Sequence, residues 1–289
     1  MKYGFAYRSL FLAVALIATL PGLSQAGVCP LSRYAELKVT TGEHGRGLVP
    51  VTIDGQPVLA SLRLEDEITD ARSGLADTLG RRVYGGRAGE TEDEATVFGW
   101  VSLGGLNVPH VKSMITHARI DGDVGIGRDV LDLSDLEFDL GHGMVRLFKR
   151  SHCLGDTVYW SDSHLELRYL DSYFGPRFAA IVNGKPVTAA LAPSAAMTVV
   201  DPDRFEALGL TAQAGKVTLG SLEFGGVRLT QLTAGPFYVR PLDGDPGARL
   251  YPEALHDKPD MLIGADVLKR LRLFVAQGEK VIYLTPSGG

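Results

Sequence analysis

Residues 51–62, VTIDGQPVLASL, and residues 180–191, AIVNGKPVTAAL, decide the fold of this chain. Each stretch consists of two alternating apolar runs around a DG or NG dipeptide. These dipeptides favour the positive φ angles of tight hairpin turns. We therefore predict a β-hairpin at each place. Gly55 and Gly184 lie 129 positions apart, so the chain contains one β-rich unit twice.

Further blocks extend this repeat in the same order. Residues 101–108 (VSLGGLNV) match residues 217–224 (VTLGSLEF), and residues 126–131 (IGRDVL) match residues 263–268 (IGADVL). Most other segments are short apolar runs broken by glycine, which indicates strands. Asp201, Pro202 and Gly209 have the spacing of an N-cap, a first helical position and a C-terminal glycine of a short helix. We predict a mainly β fold of two tandem lobes related by a pseudo-twofold axis, with short helices in each lobe.

The amino terminus has the features of a secretory signal peptide. Lys2 and Arg8 give a positive charge before an apolar run at residues 10–20. Ser24 and Ala26 supply small residues before a cleavage site. A run of this length is short for a membrane span. We predict a signal peptide at residues 1–26 and a periplasmic or secreted protein. The alternative is an uncleaved anchor helix.

The repeat divides the remaining chain into three parts. We predict a first lobe at residues 27–150, a connector at residues 151–164 and a second lobe at residues 165–289. Cys29 and Cys153 are the two cysteines of the chain. In an oxidising compartment the simplest interpretation is one disulfide between them, tying the amino terminus to the connector.

Composition and spacing argue against several classes of function. The net charge of −5 disfavours nucleic acid and anionic membrane surfaces as partners. Neither cysteine has another ligand at metal spacing, and the histidines form no HExxH motif. Asp121, Asp123 and Asp129 lie in a glycine-rich stretch that is a weak calcium candidate, because it lacks the glutamate of an EF-hand. We predict no metal and no cofactor.

Two stretches identify a family resemblance: VGIGRDVL at residues 124–131 and its repeat MLIGADVL at residues 261–268. A hairpin, a fixed tripeptide, and later an apolar pair with glycine before a short helix resemble the lobe of retropepsin-like aspartic proteases. Bilobal single-chain members of this kind are similar to predicted aspartyl proteases of the bacterial periplasm. The resemblance implies structural roles for Gly127 and Gly264, where a strand crosses beneath the active-site loop.

The resemblance also implies where the catalytic residues belong. The family uses one Asp-Thr/Ser-Gly loop from each lobe, and the two carboxyl groups share a proton and act as base and acid. The matching tripeptides are Arg63-Leu64-Glu65 in the first lobe and Ala192-Pro193-Ser194 in the second. A methyl group does not polarise water, and a guanidinium is not a base at ordinary pH. We therefore predict a catalytically inactive pseudoprotease.

An inactive pair of lobes still encloses a cleft, which in the family takes an extended peptide. We expect a peptide or protein partner, with Arg63, Glu65 and Asp66 as candidates for binding in the cleft. Arg63 and Glu65 are expected at the cleft floor, where the pair either anchors a carboxylate of the partner or forms an internal salt bridge. Insertions near residues 81–96 and 230–258 are either specificity loops or ordinary surface loops. One alternative is an active peptidase with a displaced acid among residues 65–67, and another is a structural envelope protein.

Overall fold

The computed structural model describes residues 31–79, 81–85, 93–116, 121–237 and 257–288. The predicted signal peptide, Cys29 and much of both insertions lie outside these residues. Cys153 is disulfide-bonded, and its pairing with Cys29 stays a prediction. Among the described residues, no helix has the length and hydropathy needed to cross a bilayer.

The described residues are mainly β, which confirms the predicted fold class. The strands are β1 (Arg33–Lys38), β2 (Thr40–Thr41), β3 (Gly47–Ile53), β4 (Gln56–Leu62), β5 (Asp70–Arg72), β6 (Arg81–Gly85), β7 (Asp93–Leu103), β8 (Leu106–Thr116), β9 (Val124–Ile126), β10 (Asp135–Asp139), β11 (Met144–Phe148), β12 (Leu165–Arg168), β13 (Leu170–Ser172), β14 (Gly175–Val182), β15 (Lys185–Leu191), β16 (Val199–Val200), β17 (Val217–Phe224), β18 (Val227–Pro236), β19 (Met261–Ile263), β20 (Leu271–Ala276) and β21 (Val281–Pro286). The helices are α1 (Ser73–Leu79), α2 (Arg128–Leu131), a 3-10 turn (Pro202–Arg204), α3 (Phe205–Leu208) and α4 (Ala265–Leu268).

Each lobe is built on one sheet that folds back on itself. The first lobe has the strand order β2-β3-β4-β9-β5-β8-β7-β6, and an additional pairing of β3 with β7 closes it. The second has the order β13-β14-β15-β19-β16-β18-β17, closed by β14 with β17. Apolar side chains of both lobes form one buried cluster that includes Phe98, Phe138 and Leu219.

The local signals read from the sequence form as predicted. The turn residues Asp54 and Asn183 have φ angles of 48° and 51°, in the region that DG and NG dipeptides tolerate. The side chain of Asp201 accepts the Asp203 N–H at 3.1 Å and so caps the 3-10 turn. Gly209 ends α3 in the left-handed conformation, with a φ of 68°.

A six-stranded sheet that the sequence did not reveal joins the two lobes. Its order is β1-β11-β10-β20-β21-β12, so three strands from the first half of the chain lie beside three strands from the second half. The crossing point is the antiparallel pairing of β10 with β20, in which Leu136 lies opposite Val275. This sheet fixes the bases of the lobes beside each other.

The connector covers one face of this sheet. Strand β10 places Leu136 and Phe138 in the core, while Asp135, Glu137 and Asp139 on its other face are also buried. Arg272 donates to Glu137 at 2.9 Å, and its guanidinium lies 4.2 Å from the Trp160 ring centroid of the connector. His152 of the connector contacts Asp135 at 2.5 Å. Ion pairing and aromatic stacking therefore hold the connector in place.

Candidate functional site at the lobe junction

The two tripeptides that were predicted to stand at the catalytic motifs, residues 63–65 and 192–194, occupy equivalent places. Strand β4 runs parallel to β9 and strand β15 runs parallel to β19, and each strand ends in its tripeptide. Arg63 N–H donates to the Ile126 carbonyl, and Ala192 N–H donates to the Ile263 carbonyl, both at 2.9 Å. The alignment of Gly55 with Gly184 therefore describes the backbone of both loops.

A threonine and an aspartate lock each loop from below. Thr69 N–H and Oγ1 both donate to Asp129 Oδ1, at 3.1 and 2.7 Å. In the second lobe, Thr198 N–H and Oγ1 donate to Asp266 Oδ1, at 2.7 and 2.8 Å. Each carboxylate thus accepts a backbone N–H and a hydroxyl, which holds the loop rigidly under its tripeptide.

The two predicted structural glycines allow close backbone approach at these locks. A Cβ on Gly127 would overlap the main chain of Ile68, and a Cβ on Gly264 would overlap that of Met197. The N–H of Gly127 donates to Thr69 Oγ1 at 3.1 Å, so the glycine also completes the lock.

Arg63, at the first aspartate position, turns into its own lobe. Its Nη1 donates to Asp66 Oδ2 and Asp70 Oδ2, each at 3.0 Å, and its Nε donates to Ser61 Oγ at 3.2 Å. Burial alone would lower the pKa of Arg63, but Asp70 and Asp66 outweigh it and raise that pKa. The guanidinium passes so close to Gly125 that a Cβ there would overlap Nε. Arg63 is therefore a permanently charged, internally paired group.

Ala192, at the second aspartate position, is packed among apolar side chains. It forms a buried cluster with Ala190 and Leu262, against which Ala195, Val199 and Phe237 pack. Five of these residues have repeat partners in the ion cluster of the first lobe. Ala192 corresponds to Arg63, Ala190 to Ser61, Leu262 to Gly125, Ala195 to Asp66 and Val199 to Asp70. One set of five positions thus forms an ion cluster in the first lobe and an apolar cluster in the second.

The side chains that meet between the lobes come from the third position of each tripeptide, where the resemblance predicts glycine. Glu65 and Ser194 are 129 positions apart and so are repeat partners. Ser194 Oγ donates a hydrogen bond to Glu65 Oε1 across the junction. Ser194 is 1% exposed, and Glu65 Oε2 is buried without a hydrogen-bond partner among the described residues. The contact at the pseudo-twofold axis is therefore one carboxyl group and one hydroxyl.

The surroundings of Glu65 favour its protonated form. Burial raises the pKa of this carboxyl to about 7, and the charge of Asp66 adds to the effect. The hydrogen bond from Ser194 and the charge of Arg63 act in the opposite direction. A neutral carboxyl is expected near pH 6, because ionisation would leave a charge in a site with little solvation.

This arrangement differs chemically from a shared-proton pair of carboxylates. An aspartic dyad needs two carboxyl groups around one water. Among the described residues at the junction, Glu65 is the carboxyl group in contact with the opposite lobe, and its partner there is a hydroxyl. Among the described residues, the hydrogen-bond partner of Ser194 Oγ is Glu65 and not a histidine that could act as a base. The described site supplies a hydrogen-bonding pair and not the two-carboxylate machinery.

A cavity of about 260 Å³ lies beside this junction, between the lobes. Val39 and Leu140 of the first half and Pro193 and Lys269 of the second are among its lining residues. A smaller, mainly apolar crevice next to it extends to Ser194. The apolar walls of this crevice explain why the Ser194 hydroxyl is poorly solvated.

The predicted site residues thus separate into two groups. The structure brings Glu65 and Ser194 into contact. Arg63 forms its ion pairs with Asp66 and Asp70, and not with Glu65 as the predicted internal salt bridge required. Leu64 and Pro193 are buried. The expected binding roles of Arg63, Glu65 and Asp66 stay predictions.

Sequence reasoning missed the meeting of Glu65 and Ser194, although a signal was present. Residues that a twofold axis relates are neighbours when they lie on that axis, and the offset of 129 identifies this pair. The weak calcium candidates have other roles. Asp121 accepts the His44 N–H at 3.0 Å, Asp123 accepts the Leu59 N–H at 3.0 Å, and Asp129 holds the lock described above.

Comparisons with known proteins agree with this geometry at the level of the fold. No protein-family model and no curated protein matches the chain. Among solved structures 410 chains match. One is the crystal structure of aspartic proteinase from Irpex lacteus, with a TM-score of 0.50 and 11% identity, covering 87% of this chain and 97% of that one. The chain has the aspartic proteinase fold. At this identity, the likeness extends to the fold alone.

Proposed function

We propose that this protein is an exported, retropepsin-like pseudoprotease that binds an extended peptide or protein segment between its lobes without cleaving it. The observation that carries the proposal is the state of the two aspartate positions. Arg63 is ion-paired within one lobe and Ala192 is packed in the other. A bilobal aspartic proteinase fold without its two carboxylates keeps the means to hold a peptide while lacking the base and acid that cleave it.

The location and subfamily belong to the same proposal. The amino-terminal sequence supports export to the periplasm or beyond, and the bonded state of Cys153 is what an oxidising compartment favours. The order of hairpin, tripeptide and glycine-containing strand supports a retropepsin-like origin.

The absence of proteolysis is tested with the purified protein and unfolded casein from pH 3 to pH 8, with and without a pepstatin-type inhibitor. We expect intact casein throughout this range. Inhibitor-sensitive cleavage would overturn the proposal of an inactive protein.

Binding between the lobes is tested with a substitution that narrows the cleft without touching the ion cluster. Ala196 of the second lobe is exposed. Its Cβ would lie 3.3 Å from a Cβ added to Gly45 of the first lobe, so Ala196 lies at the seam, the line along which the two lobes face each other. We expect Ala196→Trp to weaken capture of labelled casein at least tenfold. Ala212→Trp, on an exposed segment beyond α3, is the matched control. Equal capture by both variants would exclude the seam as the binding site.

A second candidate, a peptidase with a displaced acid, is favoured by one observation. Glu65 is a carboxyl group at the junction with a pKa near neutrality, as an acid–base catalyst requires. Any cleavage found in the casein assay should then disappear in Glu65→Gln. Cleavage that survives this substitution would exclude Glu65 as the catalytic acid.

A further inference from the structure

The lobes contact each other across the junction at a few defined places. Besides the hydrogen bond from Ser194 to Glu65, Arg128 Nη2 of the first lobe donates to the Tyr173 carbonyl of the second at 3.1 Å. Gly175 approaches the Leu64 carbonyl so closely that a Cβ would overlap it. The six-stranded sheet holds the bases of the lobes, so separation at the junction means breaking these contacts while the sheet persists.

Glu65 differs from the other groups at the junction because its interaction depends on protonation. Its Oε1 accepts from Ser194, but its Oε2 is buried without a partner among the described residues, so ionisation places part of the charge on an oxygen that accepts no hydrogen bond there. On its own loop, Asp66 is an additional negative charge and Arg63 a positive one that Asp66 and Asp70 already neutralise. From the opposite lobe, the facing loop at residues 192–196 has the sequence APSAA and contains no charged residue.

We infer that Glu65 and Ser194 form a proton-operated latch: the protonated pair holds the lobes closed at the junction, and ionisation of Glu65 favours an open form in which water solvates the carboxylate. This inference does not rest on peptide binding, because lobe separation is measured without a ligand. It adds a response to pH that the aspartic proteinase fold alone does not supply.

The size of the response follows from linkage. In an open form the solvated carboxyl has an ordinary pKa of 4.5, whereas in the closed form the pKa is about 7. A rise in pH across this interval therefore shifts the closed-to-open equilibrium toward the open form by up to about 300-fold. Below pH 4.5 both forms are protonated and the closed form has its full advantage.

The experiment measures the distance between the lobes with spin labels on Gln56→Cys and Lys185→Cys. These exposed hairpin residues are repeat partners, one on each lobe, and the native cysteine Cys153 is already bonded. For the otherwise unaltered chain, we expect a short distance at pH 5 and a population of longer distances at pH 8.5.

Two variants identify the responsible group. Glu65→Gln keeps a neutral side chain that accepts from Ser194, so we expect the short distance at both pH values. Ser194→Ala removes the hydrogen bond, so we expect more of the open form than in the unaltered chain at pH 5. A distance that is independent of pH would overturn the latch. The same pH dependence in Glu65→Gln would overturn it as well, because a group other than Glu65 would then be responsible.

Discussion

At the scale of residues, equivalent positions of the two loops are packed in two different ways. The buried guanidinium of Arg63 is neutralised by Asp66 and Asp70, and it fits because Gly125 has no side chain. Ala192 needs apolar neighbours, and the matching positions supply them. A buried charge is stable when its partners are present, whereas well-packed apolar residues of suitable volume serve equally well. The two lobes show both solutions at the same backbone positions.

This contrast predicts how the ion cluster responds to substitution. Arg63→Ala leaves Asp70 without its cation, and we expect a loss of about 3 kcal/mol in the free energy of unfolding. Urea denaturation at pH 7 measures it. The matched variant carries the apolar set of the second lobe: Ser61→Ala, Arg63→Ala, Asp66→Ala, Asp70→Val and Gly125→Leu. We expect it to recover most of the loss. If the free energy of unfolding of Arg63→Ala differs from that of the original protein by less than about 0.5 kcal/mol, the ion cluster contributes little to stability.

Glu65 gives a prediction about pH and stability. Its folded pKa of about 7 lies above the unfolded value of 4.5, so stability falls as pH rises between these values. Glu65→Gln is neutral at every pH, and we expect it to stabilise the fold at pH 8 by up to about 3 kcal/mol and to have little effect below pH 4.5. Parallel denaturation curves at pH 4 and pH 8 measure this. A constant difference between the two proteins would contradict the assignment.

At the scale of elements, the loops depend on the glycines beneath them. A Cβ on Gly264 would overlap backbone, which does not yield as a side chain does. We expect Gly264→Ala to cost about 3 kcal/mol, near the upper end for overpacking. Gly278→Ala is the control, because the added Cβ would meet Arg150 at 3.8 Å, an ordinary contact. Thermal unfolding compares them, and similar melting temperatures would contradict the role of the lock.

The connector has its own pH dependence. Burial alone would lower the pKa of His152, but the Cys153 carbonyl and Asp135 outweigh it and raise that pKa above 6.5. The stabilisation is complete below pH 6.5 and is lost as pH rises through the folded value. We expect the stability difference between the original protein and His152→Gln to be larger at pH 6 than at pH 9, as measured by urea denaturation. A difference that grows with pH would show that a neutral His152 is the stabilising form.

At the scale of the whole molecule, local signals predicted the lobes but not how they join. Hairpin dipeptides, helix caps and the repeat act over short distances or by direct comparison, so Asp54, Asn183 and Gly209 took their predicted conformations. The pairing of Leu136 with Val275 joins strands that are far apart in the chain, and no turn sequence connects them that could have predicted the pairing. Likewise, the partners of Arg63 depend on rotamers that the sequence does not specify, which is why Asp70 was missed.

The packing around residues 63 and 192 bears on whether a pair of aspartates could be introduced there. An aspartate introduced at residue 192 would lie among Ala190, Leu262 and Phe237, and one introduced at residue 63 would adjoin Asp70. Glu65 and Ser194 already fill the centre that a hydrolytic water needs. Two substitutions to aspartate would therefore disturb the packing of both loops, and we expect each of them to lower the stability of the fold.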